Sequence, residues 1–213
     1  MAMLKICGVK DPGDLAWLDG SVDYIGFVYT ARGGSARSID PLKADSMAST
    51  LSKSKPVLVA SGLSPEELAD LASRLRYIKV VQIHDPRDPG RAGRLARLLW
   101  ELGLSPAPVA LWRGSWLVNP CSLEEATRAE GARVEYILVD RVKGYSPLPP
   151  STVMEAGCVS RLGVAGGMTP GRVCSLPLTP FLIDASSWPE RLPGAKDPGK
   201  VLELRRSVER CLP

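Results

Sequence analysis

The sequence predicts a single (β/α)8 (TIM) barrel that spans residues 1–213, because short apolar runs and helix starts alternate along its whole length. The chain is long enough for one well-buried barrel, although it is close to the lower size limit of that fold. Most of the runs are continuous in Val, Ile and Leu, as in strands covered on both faces. A doubly wound open sheet is the alternative, but no G-x-G-x-x-G follows the first run, and the chain has no complete phosphate-loop motif G-x-x-x-x-G-K-[ST].

Eight apolar runs are the predicted strands. They lie at 4–7, 24–28, 57–61, 79–84, 108–112, 136–140, 162–166 and 181–186. The segments between them are long enough to hold a helix, which predicts parallel strands joined by crossover helices.

Most helix starts are marked by a capping residue followed by proline. The cap side chain accepts hydrogen bonds from first-turn amides, and proline is tolerated next to it because its missing N–H had no partner. The pairs are Asp11-Pro12, Asp40-Pro41, Ser64-Pro65, Asp88-Pro89, Thr169-Pro170 and Asp197-Pro198. Glu67 completes a capping box with Ser64; Ser122 with Glu125 predicts another helix start, and Pro150-Ser151 a short further one. Together these signals predict eight helices.

Composition narrows the class of protein. The net charge of +4 is mild and the Lys and Arg residues are scattered, which disfavours nucleic acid and suits a small anionic substrate. No apolar run is long enough for a membrane span, and the N-terminus lacks the apolar core of a signal peptide, so we expect a cytoplasmic protein. Asn119 and Gln82 are the only side-chain amides while proline is plentiful, which indicates either a thermophile or a GC-rich coding bias.

The five cysteines are odd in number, widely spaced and without a C-x-x-C pair. Without an export signal, this pattern predicts reduced thiols rather than disulfides and disfavours a zinc site. His84 is the only histidine, so we expect a mechanism without a metal.

In a barrel of this class the active site lies at the C-terminal ends of the strands. The residues there are Cys7, Arg37 in the loop after the second strand, Ser61, His84, Arg113, Asp140, Gly166, Gly167, Asp184, Ser186 and Ser187. Glycines after the seventh strand and serines after the eighth predict a phosphate site, built from loop amides, hydroxyls and a short helix N-terminus. Each feature also has a simple structural interpretation: glycines form turns, and serines cap helices.

Cys7 and Asp140 are the candidate catalytic pair. A carboxylic acid that ends a buried strand is expected to have a raised pKa and to donate a proton, although a structural Asp would pair with Lys143 or cap a turn. A buried cysteine commonly only fills space. Together the two residues form a possible base and acid for an isomerisation.

Seven motifs resemble, in order and spacing, the phosphoribosylanthranilate isomerases of tryptophan biosynthesis. They are KICG, YIGFV before SARSI, VVQIH, ILVD, VAGGMTP, IDASS and PGAKDP, and they cover nearly the whole chain. The resemblance implies a cofactor-free Amadori rearrangement of N-(5′-phosphoribosyl)anthranilate to 1-(2-carboxyphenylamino)-1-deoxyribulose 5-phosphate. It implies that Cys7 is the general base, Asp140 the general acid and Arg37 the arginine of the second loop. Gly166, Gly167, Ser186 and Ser187 would bind the phosphate, and His84 and Asp184 remain expected substrate contacts.

The chain departs from the family pattern at several places. RVKGYSPLPP replaces a glycine-rich stretch after Asp140, Trp188 and Asp85 replace glycines, and Ala36 replaces a proline, which predicts a more flexible setting for Arg37. The thiolate of Cys7 requires a positive field, for which Lys5, Arg37 and helix N-termini are candidates.

Other functions stay open at this point. One is a non-catalytic barrel that binds a phosphorylated ligand, and another is a different phosphosugar isomerase or synthase; an indole-glycerol-phosphate synthase would need further Lys and Glu groups at strand ends. The expected partner is a small phosphorylated substrate, and the chain is expected to be a monomer or homodimer.

Overall fold

A closed barrel of eight parallel strands forms the centre of the protein in the computed structural model. The structure describes residues 1–84 and 88–213, so Asp85 lies outside the described residues. The strands are β1 (Met3–Cys7), β2 (Tyr24–Thr30), β3 (Lys55–Ser61), β4 (Val80–Ile83), β5 (Ser105–Trp112), β6 (Ile137–Arg141), β7 (Leu162–Val164) and β8 (Leu182–Ala185). Each strand pairs with the next, and β1 pairs with β8 to close the barrel. The predicted fold class is confirmed.

A helix follows each barrel strand. The helices are α1 (Pro12–Leu18), α2 (Pro41–Ala48), α3 (Pro65–Arg74), α4 (Pro89–Glu101), α5 (Pro120–Ala129), α6 (Pro150–Glu155), α7 (Pro170–Cys174) and α8 (Pro198–Cys211), with a 3-10 turn at Ala156–Cys158. In all six predicted cap–proline pairs the first residue caps its helix through its side chain. The capping box of Ser64 and Glu67 is present in both directions. None of the helices in the described residues is both long and apolar enough to cross a membrane.

The predicted start of the fifth helix is wrong. Asn119 caps it instead, since its Oδ1 accepts from the amides of Cys121 and Ser122 at 2.9 and 3.3 Å. Asn119-Pro120 is thus another cap–proline pair, and Ser122 and Glu125 lie inside the helix that it starts.

The segment between β8 and α8 contains two further strands. Beyond Ser187 the chain forms a small antiparallel hairpin of β9 (Glu190–Leu192) and β10 (Ala195–Lys196). Gly194, with φ of +91°, provides the turn between the two strands. The hairpin brings Glu190 and Lys196 back to the barrel mouth, next to the end of β1.

Two layers of apolar packing support the barrel. One fills the space between the strands and the surrounding helices, where Leu4, Ile6, Ile25 and Phe27 are fully buried. A second, smaller cluster fills the barrel interior and includes Tyr24, Val57, Val80, Ala107, Val109, Tyr136, Leu138, Ala165 and Leu182. Because successive side chains of a strand point to opposite faces, the continuous apolar runs supply both layers. The interior cluster forms a closed floor beneath the mouth of the barrel.

The prediction of reduced cysteines is wrong for all but Cys7. Cys121 is bonded to Cys158 and Cys174 to Cys211, with Cα–Cα distances of 5.9 and 5.0 Å. Each disulfide joins partners 37 residues apart in sequence, which lie on neighbouring elements of the outer layer. The wide spacing that disfavoured disulfides in the sequence corresponds to about one strand–helix unit. After one such unit the chain is again in the outer layer, next to the helix it left. Cys7 is the free cysteine and is buried.

Candidate active site

A cavity of about 310 Å³ opens at the C-terminal ends of the barrel strands. All the residues predicted for catalysis, substrate binding and phosphate binding line it: Cys7, Asp140, Arg37, His84, Asp184, Gly166, Gly167, Ser186 and Ser187. Ser61 lines it as well, whereas Arg113 is exposed and does not. The structure therefore brings into one cavity groups that are up to 180 residues apart in the sequence.

The alternation of side chains along the strands explains why these residues face one another. Positions two apart on a strand share a face, so Leu182 lies in the interior floor and Asp184 lines the cavity above it. The same relationship connects Leu138 with Asp140 on β6. Apolar residues thus fill the lower part of the barrel, and a polar residue follows two positions later at its mouth.

Cys7 ends β1 with its side chain directed into the cavity and is only 7% exposed. Its strand partner across the sheet is Gly26, which leaves room for the thiol: a Cβ there would lie 2.8 Å from Sγ of Cys7 and 3.1 Å from Cε of Lys5. Burial raises the pKa of the Cys7 thiol to about 11, and the nearby Lys5 ammonium opposes that rise. Burial thus favours the neutral thiol, and the charge of Lys5 favours the thiolate.

Lys5 lies two positions before Cys7 and is completely buried. Its Nζ donates to Oδ2 of Asp184 at 2.7 Å and to Oε1 of Gln82 at 2.6 Å; the hydroxyl of Tyr136 donates to the same amide oxygen at 3.1 Å. Burial alone would lower the pKa of Lys5, but the Asp184 carboxylate together with the nearby Cys7 and Tyr136 outweighs burial and raises that pKa. A permanent positive charge therefore lies beneath the thiol.

Asp140 lies on β6, which is separated from β1 by β7 and β8 around the barrel. Burial raises the pKa of its carboxyl to about 7, and the negative charge of Asp184 adds to the rise. Its Oδ1 accepts from the backbone amide of Arg141 at 2.7 Å. In the part of the chain that the structure describes, it makes no ion pair with Lys143. A substantial fraction of this carboxyl keeps its proton at neutral pH, as a general acid requires.

Arg37 is held by a carboxylate of the protein itself, which does not agree with the flexible setting expected from Ala36. Its Nε and Nη2 donate to the two carboxylate oxygens of Glu190 at 2.8 and 2.6 Å. Glu190 also accepts from Lys196, whose Nζ donates in addition to the carbonyls of Cys7 and Ser186 at 2.6 and 3.0 Å. The hairpin thereby ties the second loop to the ends of β1 and β8.

Gly166 and Gly167 follow β7 with φ of +88° and +84°, in the left-handed region that favours glycine. A Cβ at Gly166 would lie 3.2 Å from Oδ1 of Asp140, so a side chain there would crowd the predicted acid. Ser186 and Ser187 line the cavity beyond the end of β8. The two loops are adjacent because β7 and β8 pair.

Several residues of this site were not singled out by the sequence. Lys196 belongs to the PGAKDP motif but received no role, and Gln82 was noted only as a rare amide. Glu190 and Arg141 carried no signal, because their importance depends on the partners that the fold brings to them. Within the described residues, no group of three or more His, Cys, Asp or Glu side chains could hold a metal ion.

No family model matches the chain. The N-(5′-phosphoribosyl)anthranilate isomerase of Aeropyrum pernix is 41% identical over 99% of this chain and 99% of its own length. That of Pyrobaculum islandicum is 35% identical over 98% of both chains.

Solved structures agree with these sequence relatives. A crystal structure of a phosphoribosyl anthranilate isomerase in complex with reduced 1-(o-carboxyphenylamino)-1-deoxyribulose 5-phosphate matches with a TM-score of 0.75 and 25% identity, covering 99% of this chain and 100% of that one. The Thermotoga maritima enzyme matches with a TM-score of 0.77 and 25% identity over the same shares. With full-length relatives above 30% identity and the matching fold, the chain belongs to the N-(5′-phosphoribosyl)anthranilate isomerase family.

Proposed function

We propose that this protein converts N-(5′-phosphoribosyl)anthranilate to 1-(2-carboxyphenylamino)-1-deoxyribulose 5-phosphate in tryptophan biosynthesis, with Asp140 as general acid and Cys7 as general base. The reaction is an Amadori rearrangement, in which an aldose amine becomes a ketose amine without net gain or loss of atoms or electrons. The observation that carries the proposal is that a thiol and a raised-pKa carboxyl share one cavity with two loops suited to a phosphate.

Asp140 acts first. Its proton passes to the furanose ring oxygen, the bond between that oxygen and C1′ breaks, and the nitrogen lone pair forms a C1′=N Schiff base. The pKa of about 7 supports this role. An acid with a pKa near the working pH is protonated in a substantial fraction of molecules and is still strong enough to transfer its proton.

Cys7 acts second as a thiolate. It removes the proton from C2′, and the electrons of that C–H bond form an enolamine, which tautomerises to the ketone. The cationic Schiff base acidifies C2′, and the ammonium of Lys5 favours the thiolate against the effect of burial. Lys196 contributes positive charge from the other side, since it lies at the carbonyl of Cys7.

The remaining predicted residues bind the substrate in this proposal. Gly166, Gly167, Ser186 and Ser187 hold the phosphate through backbone amides and hydroxyls. Oδ1 of Asp184 is buried and accepts no hydrogen bond from the described residues, so it is available for a substrate hydroxyl. Arg37 keeps Nη1 for the anthranilate carboxylate, because Glu190 accepts hydrogen bonds from Nε and Nη2. His84 contacts the substrate at the end of β4.

The test is turnover of enzymatically generated phosphoribosylanthranilate, followed by its fluorescence. The wild-type chain should consume it, while Cys7→Ala and Asp140→Asn should each lower kcat at least 100-fold. Asp70→Asn, at an exposed carboxylate on α3, is the matched control and should keep wild-type activity. Full turnover by either site variant would refute its assigned role, and ligand binding without turnover by the wild type would indicate a non-catalytic barrel.

The substrate we propose is a small phosphorylated molecule, and the cytoplasm remains our predicted location. For the assembly, monomer and homodimer both stay predictions. One solved relative, from Thermotoga maritima, is described as a dimeric isomerase from which monomers were generated. Light scattering on the purified chain distinguishes the two states.

A further inference from the structure

Arg141 ends β6 directly after Asp140, within the segment where the chain departs from the glycine-rich pattern of its family. Its side chain lies along the glycine loop after β7. A Cβ at Gly166 would lie 3.2 Å from Cγ of Arg141, and one at Gly167 would lie 3.3 Å from Nη2. The guanidinium therefore lies over the loop to which the proposed function assigns the phosphate.

The donors of Arg141 are largely free. Nη1 donates to the carbonyl of Tyr145, which anchors the side chain to its own loop. Among the described residues, Nε and Nη2 donate to no acceptor, and no carboxylate forms an ion pair with this side chain. Arg37, which also lines the cavity, differs in this respect, because Glu190 neutralises it with a bidentate pair. Of these two described guanidinium groups, Arg141 is the one that forms no ion pair.

Two further cations lie near Arg141. Lys143 lines the same cavity and makes no ion pair with a described residue. Arg172 on α7 donates to the carbonyl of Leu148 at 3.2 Å. Burial lowers the pKa of Arg172, and the positive charge of Arg141 lowers it further, which shows that the two guanidinium groups repel each other. Bound negative charge would relieve that repulsion, so the region is suited to an anion.

We propose that Arg141 binds the phosphate group of the substrate. The loop after β6 would then contribute to phosphate binding together with the loops after β7 and β8. The inference rests on the proposed function for the identity of the phosphate. Nε and Nη2 would donate to phosphate oxygens, while the amides around Gly166 and Gly167 contact the same group from below. Arg141 thereby supplies the charge that the uncharged glycine and serine loops lack.

The experiment measures phosphate binding separately from turnover. Inorganic phosphate is the probe, and its affinity is obtained from the rise in thermal midpoint of the full-length chain at constant ionic strength. Arg141→Gln should weaken phosphate binding about 10- to 100-fold, and Arg141→Lys should recover part of it. In turnover assays, Arg141→Gln should raise KM by a similar factor and change kcat less than about threefold.

Arg113→Gln is the matched control, because it removes the same charge from an exposed loop at the same end of the barrel and outside the cavity. Anthranilate is the second probe, and its binding should not change in Arg141→Gln. The inference is overturned if Arg141→Gln binds phosphate as tightly as Arg113→Gln or the wild type does. It is also overturned if Arg141→Gln loses affinity for anthranilate alone. If the wild type binds phosphate through Arg141 but does not isomerise the substrate, the proposed function fails and the anion site stands.

Discussion

Lys5 and Asp184 form an ion pair inside the barrel, with 2.7 Å between Nζ and Oδ2 and side chains that are 0% and 6% exposed. The pair connects β1 with β8 at the level where apolar packing gives way to the cavity. It also sets the charge around both proposed catalytic groups, since Lys5 favours the Cys7 thiolate and Asp184 favours protonated Asp140.

Asp184→Asn should destabilise the protein strongly, because it leaves the buried ammonium of Lys5 without a countercharge. Removing one partner of a buried pair typically costs about 3–5 kcal/mol in the free energy of unfolding. Chemical denaturation followed by circular dichroism measures the change. Glu101→Gln, which breaks an exposed i,i+4 pair with Arg97, is the control and should leave the transition in place. Similar stability in the two variants would contradict the importance of the buried pair.

Asp140→Asn should stabilise the protein at alkaline pH while it abolishes turnover. The carboxyl has a pKa of about 7 in the fold against an ordinary value of 3.8, so folding favours its neutral form. Wild-type stability should therefore fall as the pH rises from about 4 to 7 and stay level above that range. The amide of Asn is neutral at every pH, and we expect a gain on the order of 4 kcal/mol at pH 8.

Unfolding free energies of both proteins at pH 5 and pH 8 test this expectation. The difference between variant and wild type should grow with pH, because only the wild type carries the ionising group. A difference that is the same at both pH values would show that Asp140 ionises in the fold as easily as in the unfolded chain.

Cys7 should react slowly with iodoacetamide at neutral pH and faster as the pH approaches about 11, because the thiolate is the reactive form. Its alkylation rate should rise about tenfold per pH unit between pH 7 and 10. Mass spectrometry identifies the site, and Cys7→Ser is the control, since the other four cysteines are in disulfides. A plateau of the alkylation rate near pH 8 would mean that the nearby positive charges lower the pKa of the Cys7 thiol more than burial raises it.

Gly26→Ala should crowd the thiol and slow both turnover and alkylation. The added Cβ would lie 2.8 Å from Sγ of Cys7, closer than van der Waals contact permits, and overpacking of this kind costs about 1–3 kcal/mol. The matched control is Gly171→Ala on α7, where an added Cβ meets no atom within 4 Å. Equal activity in both variants would show that the atoms around Cys7 can shift to accept the added Cβ without loss of activity.

Reduction of the two disulfides should lower stability but preserve activity. Each closes a loop of 37 residues on the outer layer, away from the cavity, and a crosslink of this length contributes about 2–4 kcal/mol. Cys121→Ser with Cys174→Ser should therefore lower the thermal midpoint while kcat at moderate temperature is retained. Mass determination with and without reductant counts the bonds, and three or five free thiols in the native chain, rather than Cys7 alone, would contradict the pairing.

The disulfides also bear on the composition of the chain. Relatives from Aeropyrum and Pyrobaculum are thermophilic, and intracellular disulfides are common in hyperthermophilic archaea. Scattered cysteines are reduced thiols in most cytosolic proteins, but four of the five cysteines of this chain form disulfides.

The sequence by itself determined the barrel and the place of its candidate active site. Cap–proline pairs and apolar runs depend on neighbouring residues, so they could be read locally, and strand ends such as Cys7 and Asp140 necessarily meet at one mouth of a parallel barrel. Only the tertiary structure decided how those groups are charged. The ion pair of Lys5 with Asp184, the bidentate pair of Arg37 with Glu190 and the approach of Arg141 to Gly166 join residues far apart in the chain. Coulomb interactions depend on the distance between groups, and desolvation depends on their burial. Neither distance nor burial can be obtained from the sequence without the fold.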